Sequence, residues 1–245
     1  MNIKMRRKAA DVPQPAGNAR HILTEATPFS VTEEYKMLRT AVSFAASVGS
    51  GSGKTVGVTS PLPSEGKSIT CMNLAVAFAM TGAKVLLIDC DLRKPTVAQS
   101  LNRDSAPGIS NILAGACGEK EALGQMDSGG VRFDVIPSGD IPPNPSELLG
   151  SERAVKLFAS LSGSYDYVFV DLPPVLPVSD TVAVSKWMSG LVMVVRSGQT
   201  KRDEVKHALE RLRFADANVI GFVLNGAQHT GARKKHYAYY RHAGE

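Results

Sequence analysis

The chain has 245 residues, of which 43% are hydrophobic, and it carries a formal net charge of +5. This length and apolar content suffice for one large α/β domain with a single core. Its three cysteines are odd in number and lack metal-ligand spacing, which argues against a disulfide framework and favours a reducing compartment. No apolar run approaches the ~18 residues that a membrane-spanning helix needs.

Much of the excess positive charge lies near the two ends of the chain, at Lys4, Arg6, Arg7, Lys8, Arg233, Lys234, Lys235 and Arg241. Basic ends of this kind often contact acidic lipid surfaces or partner proteins. The basic residues are not interleaved with an aromatic stacking platform and no DNA-reading motif is present, so we expect no nucleic-acid partner. We expect residues 1–29 to be a disordered basic leader rather than a secretory signal, because no apolar stretch follows the charges.

Strand and helix patterns alternate along the chain. A helix is predicted over 31–46, opened by Thr32 and with acids in its first turn. Strands are predicted at 55–59, 84–89, 132–137, 166–171, 190–196 and 218–225. Helices are predicted at 68–81, 95–101, 109–114, 146–162, 178–188 and 201–214. This alternation predicts an α/β fold with a mostly parallel sheet and helices on both faces.

A candidate phosphate-binding loop lies at residues 60–68, directly after the first strand and before a helix. In such loops backbone N–H groups and a helix N-terminus bind phosphates, a Lys reaches the terminal phosphates and a Ser ligates Mg²⁺. Lys67 and Ser68 fill those two roles, although Pro61 stands where the common pattern has its first Gly. The predicted nucleotide-binding residues are Pro63, Ser64, Glu65, Gly66, Lys67, Ser68 and Ile69. Residues 51–55 imitate such a loop, but they precede the strand and are interpreted as a flexible approach to it.

Carboxylates end two of the predicted strands. Asp89 and Asp91 follow an apolar run and point to one face, since strand side chains alternate. Asp171 ends the strand at 166–171 in the manner of a Walker B motif. Carboxylates at strand ends beside a phosphate loop suit Mg²⁺ and its waters. The alternative for Asp89 and Asp91 is that they only cap the helix that follows.

Together these residues resemble the bacterial tyrosine kinases of the capsule and exopolysaccharide type. That family is a branch of the P-loop NTPase fold, which also holds partition and septum-placement ATPases. The resemblance covers roughly residues 30–245. Its motifs are Ser60-x-x-Pro63-x-x-Gly66-Lys67-Ser68, Leu87-Ile88-Asp89-x-Asp91-x-Arg93 and Val168-Phe169-Val170-Asp171-x-Pro173-Pro174.

The resemblance implies transfer of the ATP γ-phosphoryl group to tyrosine hydroxyls, with Mg²⁺ as the metal. Lys67 is then expected to bind the β- and γ-phosphates. Ser68, Asp91 and Asp171 are expected to hold the metal, directly or through water. Asp89 is our candidate for the base that accepts the phenol proton. The predicted catalytic residues are Lys67, Asp89, Asp91, Arg93 and Asp171.

The resemblance also implies assembly and partners. Residues 33–40 look like the family's oligomerisation helix, with Glu33, Glu34, Lys36 and Arg39 as interface residues and Lys36 standing where Arg is usual. Tyr237, Tyr239 and Tyr240, in a flexible tail over 227–245, look like the phosphorylated cluster, modified by a neighbouring subunit in a ring. The kinase domain is then residues 30–226. Expected partners are the cytoplasmic tail of a membrane adaptor that controls polysaccharide chain length, and a tyrosine phosphatase. The expected location is the cytoplasmic face of the cell membrane.

Two other interpretations remain open. The chain could be an ATPase of the partition or septum-placement type, or a nucleotide-switched assembly module without phosphotransfer. Those ATPases carry a signature Lys five residues before the catalytic Lys, and Leu62 stands at that position here. They also lack a terminal tyrosine cluster, so these differences favour the kinase.

Overall fold

A single twisted sheet forms the centre of the protein in the computed structural model, which describes residues 21–46 and 54–227. The strands are β1 (Lys54–Thr59), β2 (Val85–Asp89), β3 (Gly124–Ser128), β4 (Val131–Ile136), β5 (Tyr167–Asp171), β6 (Gly190–Arg196) and β7 (Val219–Asn225). Their order in the sheet is β3-β4-β2-β5-β1-β6-β7. The described pairings are all parallel except that of β3 with β4. The predicted mostly parallel sheet is therefore confirmed.

Helices cover both faces of this sheet. They are α1 (Phe29–Ala45), α2 (Lys67–Ala79), α3 (Val97–Ser100), α4 (Ile109–Ala114), α5 (Glu119–Ala122), α6 (Pro145–Leu149), α7 (Glu152–Ser164), α8 (Asp180–Ser185) and α9 (Arg202–Phe214). The alternating side chains of β2 illustrate the two layers, since Leu86 and Ile88 join one apolar cluster while Val85 and Leu87 join the other. A strand that is apolar on both sides is typical of a sheet covered on both faces.

The central strands bring their carboxyl ends to one edge of the sheet. Asp171 of β5 is in register with Val58 of β1 on one side and with Asp89 of β2 on the other. The loop after β1 and the loop after β2 therefore flank the end of β5. Helix α2, which follows the first of these loops, buries every residue except Ser68 and Ile69. Packing thus fixes the beginning of α2 beside both acidic strand ends.

The first helix begins earlier than predicted. Helix α1 starts at Phe29 after Pro28, whose fixed φ suits the residue before a helix, and no side chain caps it. Thr32 is therefore not the cap, and the acids lie beyond the first turn. Part of the predicted leader contacts the domain, because Leu23 is buried and its N–H donates to Asn73 of α2 at 2.8 Å. Residues 1–20 lie outside the described part of the chain.

The predicted helix over 146–162 is in fact two helices, α6 and α7. Gly150 ends the first, and the Ser151 hydroxyl accepts a hydrogen bond from the Ala154 N–H, which caps the second. Neither β3 nor the short helix α5 was predicted from the sequence pattern.

Candidate active site

The phosphate loop between β1 and α2 has the backbone shape of an anion site. Ser64 and Gly66 both adopt left-handed conformations, with φ of 65° and 95°. Glycine is favoured at position 66 because residues with a Cβ rarely adopt this φ, and a Cβ there would also displace the Asn225 side chain. Helix α2 then begins at Lys67 with neither a side-chain cap nor an acid in its first turn. Its first N–H groups are therefore available to a phosphate.

Side chains from distant elements hold this loop in place. The buried Glu65 carboxylate accepts hydrogen bonds from the Leu62 N–H at 3.0 Å and from the Thr200 hydroxyl. Asn225 donates to the Glu65 carbonyl at 2.9 Å, and Arg196 donates to the Ser64 carbonyl at 3.3 Å. The Glu65 side chain, which the sequence analysis placed among the nucleotide-binding residues, thus turns away from the cavity and fixes the loop.

Lys67 lies at the centre of the site. Its Nζ is 2.8 Å from Asp91 Oδ2, 3.3 Å from Asp171 Oδ1 and 3.2 Å from Ser68 Oγ. Burial by itself lowers the pKa of Lys67, but the carboxylates of Asp171 and Asp91 outweigh burial and the net shift is upward. The side chain therefore remains a cation in a buried setting.

The donors around this ammonium suit a magnesium ion. Asp91, Asp171 and Ser68, the three predicted metal ligands, converge on one cation and present only oxygen atoms. Hard oxygen ligands of this kind are the ones that Mg²⁺ prefers, and Mg²⁺ in phosphoryl-transfer sites commonly completes its shell with phosphate oxygens and water. The residues present thus fit Mg²⁺ bound together with a nucleotide triphosphate.

Asp89, the predicted general base, lies in a different environment from Asp91. It is fully buried and does not line the cavity. Its Oδ1 accepts the Asp91 N–H at 3.1 Å, and its Oδ2 accepts those of Thr96 and Val97 at 3.3 and 3.1 Å. Burial, and then the charge of Asp171, raise the pKa of Asp89 to about 8. These hydrogen bonds hold the loop and the beginning of α3, as the capping alternative expects, and they occupy both carboxylate oxygens. The role of Asp89 as general base remains a prediction.

Arg93 is bound to a residue that the sequence analysis missed. Its Nε and Nη2 donate to the two oxygens of Asp180, at 2.8 and 3.0 Å. Asp180 begins α8 and is completely buried. Its second partner is the hydroxyl of Ser146 in α6. No strand-end pattern marks Asp180, so its sequence context carried no signal.

These elements surround a cavity of about 820 Å³. The lining includes the phosphate loop, Asp91 and Arg93, together with Asn225 and with Val31 and Tyr35 of α1. A volume of this size is in the range of pockets that enclose a nucleotide-sized ligand. The cavity is therefore large enough for ATP beside the three-oxygen cluster.

The predicted interface residues of α1 already have contacts within the chain. Lys36 forms an ion pair with Glu33 at 2.8 Å, and Arg39 donates to the Ala77 carbonyl of α2 at 2.8 Å. Apolar side chains on the same helix are exposed, with 53% of Met37 and 75% of Phe44 accessible. A role of Glu33, Glu34, Lys36 and Arg39 between subunits remains a prediction.

The predicted acceptor residues Tyr237, Tyr239 and Tyr240 lie outside the described residues, as do the basic residues around them. Within residues 21–46 and 54–227, none of the helices is long and apolar enough to cross a membrane.

The fold and the site define a P-loop NTPase domain, and comparisons with known proteins agree. The family model described as "AAA domain" matches residues 63–200. The chain is 36% identical over 222 residues to the tyrosine-protein kinase YwqD of Bacillus subtilis, covering 90% of this chain and 91% of that protein. It is 36% identical over 215 residues to the tyrosine-protein kinase Wzc of Salmonella typhimurium, but these are 86% of this chain and only 29% of Wzc.

Solved structures show the same relationship. The kinase domain of the Escherichia coli tyrosine kinase ETK superposes with a TM-score of 0.77 at 30% identity, covering 92% of this chain and 86% of that one. The cell-division ATPase MinD of Pyrococcus furiosus gives a TM-score of 0.60 at 22% identity over 70% of this chain and 71% of its own, and shares the fold alone. The chain belongs to the bacterial tyrosine-protein kinase family, as its motifs indicated.

Proposed function

We propose that this chain transfers the γ-phosphoryl group of ATP to tyrosine hydroxyls. The observation that supports the proposal most directly is the convergence of Asp91, Asp171 and Ser68 on the Lys67 ammonium, at the beginning of a helix whose N–H groups lack a cap. Phosphoryl transfer depends mainly on positioning the nucleotide and neutralising its charge. Family membership supports the choice of tyrosine as the acceptor.

Each residue of the site has a role in this proposal. Lys67 and the first turn of α2 bind the β- and γ-phosphates. Ser68, Asp91 and Asp171 hold Mg²⁺, which when bound neutralises phosphate charge. Asp91 borders the cavity, so we assign to it rather than to Asp89 the acceptance of the phenol proton late in transfer.

The acceptors and partners form the less direct part of the proposal. We propose Tyr237, Tyr239 and Tyr240 as acceptors, presented by a neighbouring copy in a ring, and the cytoplasmic tail of a membrane adaptor as activator. A tyrosine phosphatase would reverse the modification. Regulation of capsular or exopolysaccharide export from the cytoplasmic face of the membrane follows from the same family resemblance. The exposed Met37 and Phe44 of α1 are compatible with contacts between copies.

Mass spectrometry of the purified chain after incubation with Mg-ATP and an adaptor-tail peptide tests this function. We expect phosphotyrosine in the segment 237–240 of the parent and none in Lys67→Met. Because Lys67 neutralises two buried acids, a Lys67→Met, Asp91→Asn double variant serves as a second inactive control, with folding checked by circular dichroism. Hydrolysis of ATP without phosphotyrosine would contradict the kinase proposal and support the ATPase alternative. Nucleotide binding without either reaction would support the assembly module.

A further inference from the structure

The two side chains of the Arg93–Asp180 ion pair differ in their exposure to water. No part of the Asp180 side chain is accessible to water, whereas 43% of the Arg93 side chain is. Burying a carboxylate is costly unless it is paired and hydrogen-bonded. Asp180 meets that condition through both oxygens, which accept from Arg93 and from the Ser146 hydroxyl. The acid is thus anchored in the protein, and the arginine is the member that faces outward.

The contact leaves part of the guanidinium available. An Arg side chain has five N–H donors in a rigid planar fork. Asp180 binds the edge formed by Nε and Nη2, and Ser146 Oγ lies 3.4 Å from Nη2. Nη1 donates to no residue in the described part of the chain. A carboxylate that binds one edge of the fork therefore fixes the plane and direction of the other edge.

That free edge belongs to a side chain that lines the nucleotide cavity. Arg93 follows Asp91 by two residues, and both border the cavity together with Lys67 and Ser68. A guanidinium forms strong, directional hydrogen bonds with phosphate oxygens. Flexible cations lose side-chain entropy when they bind, and a cation that is already held in place loses less. The buried acid behind Arg93 supplies that restraint.

We propose that Asp180 is a positioning residue for phosphoryl transfer, holding Arg93 so that its free edge contacts an oxygen of the phosphoryl group being transferred. The inference rests on the proposed kinase function. Arg93 is then the residue that touches the substrate, and Asp180 acts only through it. Ser146 completes the arrangement by satisfying the same buried carboxylate from α6.

A simpler role is that the pair only ties α8 to the loop after β2. An ion pair with a largely exposed member contributes little net stability, and burying its acid is costly, so stability alone explains the pair poorly. The two roles also predict different kinetics. A structural tie would lower thermal stability and the amount of active protein, whereas a positioned arginine would lower kcat and leave the KM for Mg-ATP nearly unchanged.

The test measures initial rates of phosphotyrosine formation at varied Mg-ATP for the full-length chain, with the Lys67→Met chain as acceptor. We expect Asp180→Asn to lower kcat about tenfold, as for other residues that orient a reacting group, with KM within about twofold of the parent. We expect Arg93→Met to lower kcat about 100-fold. The Arg93→Met, Asp180→Asn double variant removes both members, so it leaves no unpaired buried charge if Arg93→Met alone folds poorly.

The double variant decides between the roles. If Asp180 acts through Arg93, its kcat should match that of Arg93→Met within about twofold. Asp127→Asn, which breaks an exposed Arg–Asp pair with Arg132 in the β3–β4 hairpin, should behave as the parent. Parent-like kcat in Asp180→Asn, or losses that multiply in the double variant, would overturn the proposal. A parent that makes no phosphotyrosine contradicts the kinase function instead, and the same kcat comparison is then made on ATP hydrolysis.

Discussion

Two loops border the cavity, and they are fixed in opposite ways. The phosphate loop over 60–66 is held from outside, by Thr200, Asn225 and Arg196. The loop after β2 is held mainly from within, because Asp89 accepts three N–H groups of its own next eight residues. Both loops have sequence motifs that contain their ligand-binding residues. Only the motif of the loop after β2 also contains a residue that holds the loop in place, because that residue, Asp89, is close in sequence.

The largest expected effect comes from Lys67, which directly follows the phosphate loop and pairs with Asp91 of the loop after β2. Lys67→Met should abolish phosphotransfer, by at least about 10³-fold, because the phosphates lose their cation. It should also lower the free energy of unfolding by about 3 kcal/mol in the absence of Mg²⁺, since Asp91 and Asp171 lose a buried partner. Phosphotyrosine assays and chemical denaturation measure the two effects.

Adding Asp91→Asn to Lys67→Met should restore part of that stability and none of the activity, because it removes one of the two unpaired charges. A single Lys67→Met variant as stable as the parent would show that the two acids do not depend on the lysine.

The comparison also predicts different effects for two acids that are two residues apart. Asp89→Asn should lower the free energy of unfolding by about 2 kcal/mol. The substitution replaces one carboxylate oxygen with an NH₂ group, which cannot accept the backbone N–H groups that this oxygen accepts in the parent. Asp91→Asn should lower kcat about 100-fold with a smaller change in stability, because Lys67 keeps Asp171. Thermal unfolding and kcat of both variants provide the measurement. Loss of activity at unchanged stability in Asp89→Asn would restore it as the general base.

The local arrangement explains how much of the site was predictable. Asp171 ends an apolar strand, and Asp91 lies two residues after the end of another. Lys67 directly follows the loop after β1. Parallel strands bring these positions together at one edge of the sheet. Asp180, Thr200 and Asn225 could not be inferred, because they meet their partners across 87, 135 and 160 residues. Only the packed fold creates those contacts.

The same reasoning applies to the fold. The buried strands were recognised by their apolar runs, whereas β3 has the sequence Gly-Gln-Met-Asp-Ser and alternates between half-buried and exposed. Its one local signal was the Gly129-Gly130 pair, whose positive φ angles form the turn into β4. Hydrophobic patterning does not detect a polar edge strand, and the antiparallel hairpin was missed for that reason.

Contacts that hold the phosphate loop from outside should matter for nucleotide affinity. Thr200→Val removes the hydroxyl that donates to the Glu65 carboxylate and accepts a hydrogen bond from the backbone N–H of Arg196. We expect a KM for Mg-ATP about fivefold to tenfold higher with kcat nearly unchanged, since about 1 kcal/mol of loop restraint is lost. Thr81→Val is the matched control, because that hydroxyl donates to the Phe78 carbonyl at the far end of α2. Equal effects of both substitutions would mean that the loop does not depend on Thr200.

The smallest expected effect concerns α1, which borders the cavity. This helix has a contact to another helix and a contact within itself. Arg39 reaches outside its helix to the Ala77 carbonyl, whereas Lys36 pairs with Glu33 in the same helix. Arg39→Ala should therefore lower the free energy of unfolding by about 1 kcal/mol, and Lys36→Ala, its control, by about 0.3 kcal/mol. Denaturation of both variants, with sedimentation at matched concentration, separates stability from self-association. Equal stability losses would contradict the distinction between the two contacts. A fall in assembly that exceeds the stability loss in Arg39→Ala would instead indicate that this side chain also contacts a second copy.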